Sequence, residues 1–214
     1  FRDGEKIGKE IKKVFGFFEV NDKVSKYNHL IVWRHNTRKA RYHLIDTEIK
    51  NKKAGLPSGI QLKLNSLSDY KMIDKLYEAS RAGVKIKMIV RGICCLIPGV
   101  KGMSENIEAI SIVGKFLEHP RLFIFENGGD TKVYISSADL MGRNLDNRVE
   151  ITCPIYNEAI KQELIENFEI GWSDNVKARV ISIKNDNAYL KNNKPPVRSQ
   201  FKMYDYYLNK LELN

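Results

Sequence analysis

The pattern of apolar residues between positions 60 and 90 constrains the fold of this chain most strongly. Residues 60–65 alternate apolar and polar side chains, which predicts a β-strand. Apolar residues at helical spacing follow, with Ser68 as the predicted N-cap and Gly83 as the end of the helix. Residues 84–90 return to a strand pattern and lead into Arg91. This order of strand, helix and strand is typical of an α/β fold with parallel neighbouring strands and right-handed crossovers.

The remaining apolar patterns extend this arrangement to both ends of the chain. Strands are predicted at residues 29–33, 122–125, 133–135 and 147–152, and helices at 3–18, 37–53, 157–172 and 197–213. The last helix is predicted to turn its apolar set toward the core, namely Phe201, Tyr204, Tyr207, Leu208 and Leu211. A polar break at 21–27 follows the first helix, so we interpret 1–26 as a connecting helix and 27–214 as the main domain.

Composition indicates a globular protein with an anionic partner. The chain of 214 residues is 43% hydrophobic and 29% charged, and its net charge of +10 gives a pI near 9.4. Such a charge favours nucleotides, polyphosphate, nucleic acid or a membrane surface, although a solvated basic surface without a partner explains it equally well. Three cysteines without a C-x-x-C spacing fit a reducing compartment and argue against a disulfide framework or a zinc site. No apolar run approaches the length of a membrane span, and the start without methionine leads us to expect part of a longer protein.

Polar groups suited to phosphoryl chemistry gather around two predicted strands. His119 and Arg121 precede the first of them, and Ser136 and Ser137 follow the second. If the two strands pair as a hairpin, the start of one lies beside the end of the other. A histidine, a guanidinium group and hydroxyls would then share one edge of a sheet, as a phosphoryl site requires. A lone histidine is more often structural, and the company of Arg121 is what favours a functional role for His119.

Three further arginines are candidate phosphate ligands, each with a structural alternative. Arg91 follows a strand of the α/β unit, where ligands collect, but a surface ion pair would explain it equally well. Arg143 and Arg148 offer guanidinium forks for phosphate. The carboxylates with which they could pair instead are those of Asp139, Asp146 and Glu150. The chain has no G-x-x-x-x-G-K-[ST] pattern, which argues against a Walker-type ATPase.

The residues around His119 resemble a variant of the phospholipase D signature. His119-x-Arg121, Glu126 and residues 136–139 stand where that signature has His-x-Lys, an acidic residue and a Gly-Ser-x-Asn-like segment. Longer strings resemble, more specifically, the C-terminal region of bacterial polyphosphate kinases of the phosphohistidine type. They include Leu-Pro-Ser-Gly-Ile at 56–60, Val-Arg-Gly-Ile-Cys-Cys-Leu at 90–96, Glu-Asn-Gly-Gly at 126–129 and Tyr-Ile-Ser-Ser-Ala-Asp at 134–139. This resemblance extends from about Val14 to the end of the chain.

The resemblance implies a fold, a reaction and several residue roles. The fold would be a phospholipase-D-like mixed sheet flanked by helices and preceded by a connecting helix. The complete enzyme would transfer the γ-phosphate of ATP reversibly to inorganic polyphosphate, through a phosphohistidine in a preceding domain that is absent from this chain. In the family, the residues matching Arg91 and His119 contact the nucleotide, and the residue matching Arg148 contacts its phosphates. The family requires Mg²⁺, for which we assign no ligand in this chain.

By the same resemblance, this chain supplies half of a composite site. Phospholipase-D-like sites take one histidine from each of two similar halves, one to attack phosphorus and one to act on the leaving or entering oxygen. We therefore expect His119 to be the catalytic residue of this half, and we expect the isolated chain to be inactive. The expected ATP- and phosphate-binding residues are Arg91, His119, Arg148, Arg121, Arg143 and Ser137.

The expected partners are ATP or ADP, polyphosphate, the preceding domains and further copies in a homo-oligomer. Nucleic acid is not expected, and the expected location is the cytoplasm, with association at a membrane as an option. Two alternatives stay open. A single His-x-Arg element also suits a phospholipase-D-superfamily phosphodiesterase or nuclease completed by dimerisation. The charge alone suits a non-enzymatic polyanion-binding module.

Overall fold

A mixed sheet of eight strands forms the centre of the described part of the molecule. The structure is a computed structural model and describes residues 2–19, 26–32, 37–146 and 148–212. Its strands are β1 (Ile31–Val32), β2 (Gly59–Leu64), β3 (Lys85–Val90), β4 (Ile107–Ile112), β5 (Leu122–Phe125), β6 (Lys132–Ser136), β7 (Ile151–Ile155) and β8 (Ala178–Val180). They lie in the order β1-β7-β6-β5-β2-β3-β4-β8. The helices are α1 (Arg2–Glu19), α2 (Thr37–Lys53), α3 (Tyr70–Arg81), α4 (Gly142–Asp146), α5 (Glu158–Trp172) and α6 (Ser199–Glu212), with a short 3₁₀ turn at Asn127–Gly129.

The pairing of the strands confirms the predicted α/β class. β2, β3 and β4 run in parallel, as a helical crossover between β2 and β3 allows, and the other neighbours are antiparallel. The strands β4 and β8 were not predicted. The strand predicted at 147–152 is shifted, because β7 spans Ile151–Ile155; Glu150, just before it, accepts hydrogen bonds from Ser137 and Asn144. Asn147 lies outside the described residues. Of the strand predicted at 29–33, Trp33 also lies outside them.

Helices cover both faces of the sheet. Alternate residues of β2, such as Leu62, point into a core shared with α2 and α3. The opposite face packs under α5, whose Phe168 is fully buried beside Ile89 and Ile124. Because both faces are covered, the polar side chains of the central strands reach solvent chiefly at the strand ends, where the candidate site lies.

Helix α3 begins one residue later than the sequence pattern suggested. The N-cap is Asp69, whose carboxylate accepts a hydrogen bond from the amide of Met72 at 2.9 Å. The predicted cap, Ser68, is wrong by one position: the amides of Ser68 and Asp69 both donate to the carbonyl of Leu140, and the side chain that caps the helix is that of Asp69. Arg38 pairs with Asp69 at 2.6 Å and ties α2 to this cap.

Helix α1 is docked onto the domain through a buried carboxylate. Glu10 is 4% exposed and accepts hydrogen bonds from the backbone amides of Asn28, His29 and Leu30, the shortest at 2.6 Å. Val14 packs beside Leu30 in a small core of its own. Residues 20–25 of the predicted polar break lie outside the described residues. The helix predicted as a connector is thus held by the segment that leads into the first strand of the domain.

The prediction that the apolar side of helix α6 faces the core is wrong. The predicted inward set is exposed, with Tyr204 at 63% and Leu211 at 75%. The sheet face is already covered by α5, so α6 packs on α5 through polar contacts, among them Lys210 with Glu163 at 2.7 Å and Tyr206 with Glu166 at 2.6 Å. Leu213 lies outside the described residues. Within the described part, no helix combines the length and the apolar character needed to cross a membrane.

Candidate active site

The β5–β6 hairpin brings the predicted site residues to one edge of the sheet. Leu122 pairs with Ile135, and the amide of Ser136 donates to the carbonyl of Arg121 at 3.0 Å. The start of β5 therefore lies beside the end of β6, as predicted. His119 and Arg121 lie just before β5, and Ser136 ends β6.

Arg121 is fixed by a carboxylate that serves two parts of the chain. Its Nη2 atom pairs with Oδ2 of Asp139 at 2.9 Å, and both side chains are nearly buried. The other carboxylate oxygen accepts from the amides of Asn65 at 2.8 Å and Ser66 at 3.1 Å. Burial raises the pKa of Asp139, but the Arg121 guanidinium and the two amides outweigh it and hold the pKa below its usual range. Asp139 therefore joins the end of β2 to the guanidinium that touches His119.

His119 is exposed and lies against the Arg121 guanidinium. Nη1 of Arg121 is 2.8 Å from Nδ1 of His119, and Nη2 is 3.1 Å from Nε2. Nη1 also donates to the backbone carbonyl of His119 at 3.1 Å. A guanidinium group only donates hydrogen bonds, so a ring nitrogen of His119 must be unprotonated to accept one. A neutral imidazole has one such nitrogen. The contact thus presents an oriented imidazole to solvent beside a fixed positive charge.

Arg91 joins the same group of residues from the end of β3. Its Nε atom donates to Oδ1 of Asn65 at 2.8 Å. Gly92 permits the close approach of the two strand ends, since a Cβ there would lie 3.0 Å from the Asn65 carbonyl oxygen. A continuous chain of contacts therefore runs from Arg91 through Asn65, Asp139 and Arg121 to His119.

Arg143 and Arg148 are exposed and form no ion pair with any residue that the structure describes. The carboxylates that could have held them have other partners. Asp139 binds Arg121, Asp146 binds Arg38 at 2.7 Å, and Glu150 accepts from Asn144 at 2.6 Å and from Ser137. The structural alternative for the two arginines is therefore not observed among these residues.

The hydroxyl of Ser137 is hydrogen-bonded to other groups of the protein. Its hydroxyl donates to Glu150 and accepts from the amide of Ile151 at 3.1 Å. The hydroxyl proton is therefore not directed at solvent in this arrangement. A direct role of Ser137 in phosphate binding stays a prediction, and the contacts describe a residue that fixes the loop after β6.

A buried arginine that sequence reasoning missed supports the same loop. Arg41 is 3% exposed, and its Nη2 donates to the hydroxyls of Thr152 at 3.1 Å and Ser136 at 3.3 Å. Burial lowers its pKa to about 10. Its guanidinium lies 4.9 Å from the ring centroid of Phe123. The signal in the sequence was its position four residues before Ile45, on the buried face of α2.

A second polar group lies under the loop that carries His119, and its residues Glu118 and Gln200 were not predicted. Lys63 of β2 forms an ion pair with Glu118, which also accepts from the side-chain amide of Gln200 at 2.9 Å. Burial raises the pKa of Glu118, but Lys63 and Gln200 outweigh it and keep the pKa below its usual range. A cavity of about 410 Å³ opens next to this group. It is lined among others by Lys63, Glu118, Arg121, Ser136, Asn167 and Tyr207.

The family model described as "Polyphosphate kinase C-terminal domain 2" matches residues 30–200. The chain belongs to this polyphosphate kinase family. A polyphosphate kinase of Vibrio parahaemolyticus is 48% identical over 206 residues, which are 96% of this chain and 30% of that protein. A polyphosphate kinase of Escherichia coli K12 is 46% identical over 202 residues, 94% of this chain and 29% of that protein. The chain thus spans about a third of the length of its curated relatives.

Solved structures agree with this membership. A crystal structure of a polyphosphate kinase from Porphyromonas gingivalis superposes with a TM-score of 0.92 at 40% identity, covering 95% of this chain and 32% of that one. A phospholipase D family member, Nuc, from Salmonella typhimurium has a TM-score of 0.51 at 15% identity, covering 72% of this chain and 97% of that one. At that identity the second likeness concerns the fold alone. The expected phospholipase-D-like fold is therefore confirmed for this member of the polyphosphate kinase family.

In the described part of the chain, the carboxylates near His119 are paired with cationic side chains and do not fit a magnesium ion held by this chain. Among the described residues, no group of three or more histidine, cysteine, aspartate or glutamate side chains is placed to hold a metal. Near His119, Asp139 is bound to Arg121, and Glu118 is bound to Lys63. Positive charge at this edge comes from side chains of the protein itself.

Proposed function

We propose that this chain is the C-terminal catalytic part of a polyphosphate kinase that transfers the γ-phosphate of ATP reversibly to inorganic polyphosphate. The observation that carries the proposal is the contact chain from Arg91 to His119 at one edge of the sheet. It fixes two guanidinium groups and an exposed imidazole with respect to each other. Family membership suggests the substrates. The polar strand ends that carry Arg91, Asn65, Asp139, Arg121 and His119, here called the polar edge, provide groups that suit these substrates.

The arginines suit the charge of the phosphates. Phosphoryl transfer spreads negative charge over the phosphate oxygens, and preorganised guanidinium groups stabilise that charge without reorganising. Arg91 and Arg121 are held from within the protein, whereas Arg143 and Arg148 are exposed at the same end of the sheet. In the proposed roles, Arg91 and Arg148 bind the phosphates of the nucleotide, and Arg121 and Arg143 add positive charge for the transferred phosphate and the polyphosphate. Ser137, which is hydrogen-bonded to Glu150, fixes the loop beside them.

His119 suits the role of an acid, a base or a direct phosphate ligand in half of a composite site. In the proposed sequence, a histidine nitrogen in the preceding domain attacks the γ-phosphorus, the bond to the β-γ bridging oxygen breaks, and ADP leaves. The terminal oxygen of polyphosphate then attacks the phosphohistidine, and the nitrogen–phosphorus bond breaks. As an acid or a base, His119 would move a proton at the leaving or entering oxygen, and as a ligand it would bind a phosphate oxygen. Magnesium belongs to this proposal as a companion of the nucleotide phosphates and not as an ion held by this chain.

The proposed setting follows from the length of the relatives. Because the chain spans about a third of them, the preceding domains of the same polypeptide are proposed partners, and they complete the site. We place the complete enzyme in the cytoplasm, as a homo-oligomer with optional membrane association. We do not propose nucleic acid as a partner.

The test is an assay of polymer synthesis by the full-length polypeptide with His119→Ala or Arg91→Ala. Loss of a transition-state contact of this kind typically costs about 10²–10³-fold in kcat. Lys184→Ala is the matched control, because Lys184 is an exposed cation that follows β8, the last strand in the order of the sheet. Near-normal synthesis by both site variants would refute the assignment. Cleavage of a generic phosphodiester by the isolated chain would favour a phosphodiesterase instead.

A further inference from the structure

The loop that carries His119 has little regular structure of its own. Between β4 and β5 the chain passes through residues 113–121, where Phe116 is 49% and Leu117 is 77% exposed. A catalytic imidazole on such a loop needs contacts from elsewhere, because a misplacement of about 1 Å can cost roughly 10²-fold in rate. Arg121 contacts the ring of His119, but the backbone of the residues that precede His119 needs hydrogen bonds from another part of the chain.

That anchor is the side chain of Gln200, in the first turn of α6. Gln200 is 7% exposed and lies 84 positions along the chain from Phe116. Its Oε1 atom accepts from the amide of Phe116 at 3.0 Å, and its Nε2 atom donates to the Phe116 carbonyl at 2.8 Å. Nε2 also donates to Glu118 at 2.9 Å, and Glu118 is paired with Lys63 of β2. The side-chain amide of Gln200 therefore holds both Glu118, which directly precedes His119, and Phe116, which lies three positions before it.

A glycine in the same loop lies against this amide. A Cβ atom on Gly114 would lie 2.4 Å from Oε1 of Gln200, a distance that real Cβ atoms essentially never show. The backbone at Gly114 has no positive φ, so the lack of a side chain serves the close approach and not a turn.

Gln200 is in turn fixed by a buried carboxylate. Asp174 is fully buried, and its Oδ2 atom accepts from the amide and the hydroxyl of Ser199 at 2.8 and 2.7 Å. Its Oδ1 atom accepts from the amides of Lys177 and Ala178 at 2.6 and 3.0 Å. The start of α6 is thus tied to the segment between α5 and β8, which gives Gln200 a rigid base.

We infer that Gln200, through Phe116 and Glu118, is a positioning residue for His119. The inference rests on the proposed function of His119 and adds a residue of α6 that does not touch the substrate. Helix α6 reaches the loop through the three hydrogen bonds of Gln200, here called the clamp, and through the ring of Phe201, whose centroid lies 6.5 Å from that of Phe116. Loss of the clamp should leave the fold intact and allow His119 to move.

The first test is Gln200→Met in the full-length polypeptide, which keeps most of the side-chain volume and removes all three hydrogen bonds. We expect kcat to fall about 10- to 100-fold with little change in the melting temperature. The His119 ring resonances should broaden or shift in a histidine-selective NMR spectrum. Asn209→Ala, an exposed amide on the same helix, is the matched control and should change neither quantity.

The second test is a double-mutant cycle that does not depend on one variant. Gly114→Ala alone should lower kcat, because the added Cβ displaces the loop from Gln200. In a Gln200→Ala background the same change should cost little more, because the atom it meets is gone. Equal costs of Gly114→Ala in the two backgrounds would overturn the inference.

The outcomes separate this inference from the function on which it rests. If His119→Ala is inactive while Gln200→Met keeps full kcat and an unchanged His119 spectrum, positioning by Gln200 is wrong and the proposed function stands. If His119→Ala is fully active, the proposed catalytic role fails, and a shifted His119 spectrum in Gln200→Met would still show that the clamp orders the loop.

Discussion

Asp139 is the residue on which the geometry of the polar edge depends most. It binds Arg121 with one oxygen and two backbone amides at the end of β2 with the other. In Asp139→Asn, the side-chain oxygen can still accept from the amides, but the new NH₂ group cannot accept from Arg121. We expect a loss of about 2 kcal/mol in the free energy of unfolding, and a clear loss of activity in the full-length polypeptide.

The pH dependence of that loss gives a sharper check. The folded-state pKa of Asp139 is lowered, so its contribution is fully present above the unfolded pKa, near 4, and is lost as the pH falls further. Urea denaturation should therefore show the largest difference between wild type and Asp139→Asn at neutral pH, and a smaller one below about pH 4. Asp205→Asn, an exposed carboxylate of α6, is the control. A difference that grows with acid would contradict the assignment.

Sequence reasoning at this scale found the groups at strand ends and missed the groups that hold them. His119, Arg121 and Arg91 were predictable because strand ends of one sheet meet. Gln200 was not, because its partner Phe116 is 84 positions away and the contact depends on how α6 packs. Ser137 was expected to bind phosphate, and its position was right, but its bond to Glu150 depends on tertiary packing that no local pattern encodes.

At the scale of elements, α1 offers a test of whether a predicted connector is part of the folded domain. Glu10 accepts from three backbone amides in the segment just before β1. Glu10→Ala would leave these donors without their partner, and we expect a loss of about 2 kcal/mol in the free energy of unfolding. Glu5→Ala is the control, because Glu5 forms only a surface pair with Lys9 and should change stability by less than about 0.5 kcal/mol. Equal melting temperatures of the two variants would mean that α1 is not docked in solution.

The elements themselves were largely predictable, and the errors have physical causes. Strong periodicity located α1 and α3, and two short apolar runs located the β5–β6 hairpin. The strand β8 has three residues, too few for alternation to be visible. The predicted orientation of α6 was wrong. An amphipathic pattern shows that one side of a helix is apolar, but it does not show which surface that side packs against, and this face of the sheet is already covered by α5.

At the scale of the whole molecule, the charge and the polar strand ends fit the proposal that this chain supplies one half of a site. The net charge of +10 favours long polyanions, while the exposed Arg143 and Arg148 provide contacts that are not neutralised by ion pairs in the described residues. His119 with its neighbouring arginines can bind phosphate, but nucleophilic transfer in the proposed mechanism needs a second histidine at the same site. Binding and turnover should therefore separate when the chain is taken alone.

Calorimetry on the isolated chain checks this separation. We expect binding of polyphosphate and of ATP with Mg²⁺ that weakens with rising salt and weakens strongly in Arg91→Ala and Arg148→Ala. The control Lys184→Ala removes the same charge far from the polar edge, so it should retain most of the affinity. Turnover assayed in the same samples should be absent. Binding that depends equally on all three cations would indicate a general basic surface. Turnover by the isolated chain would mean that the site is complete without a preceding domain, and the composite mechanism would then be wrong.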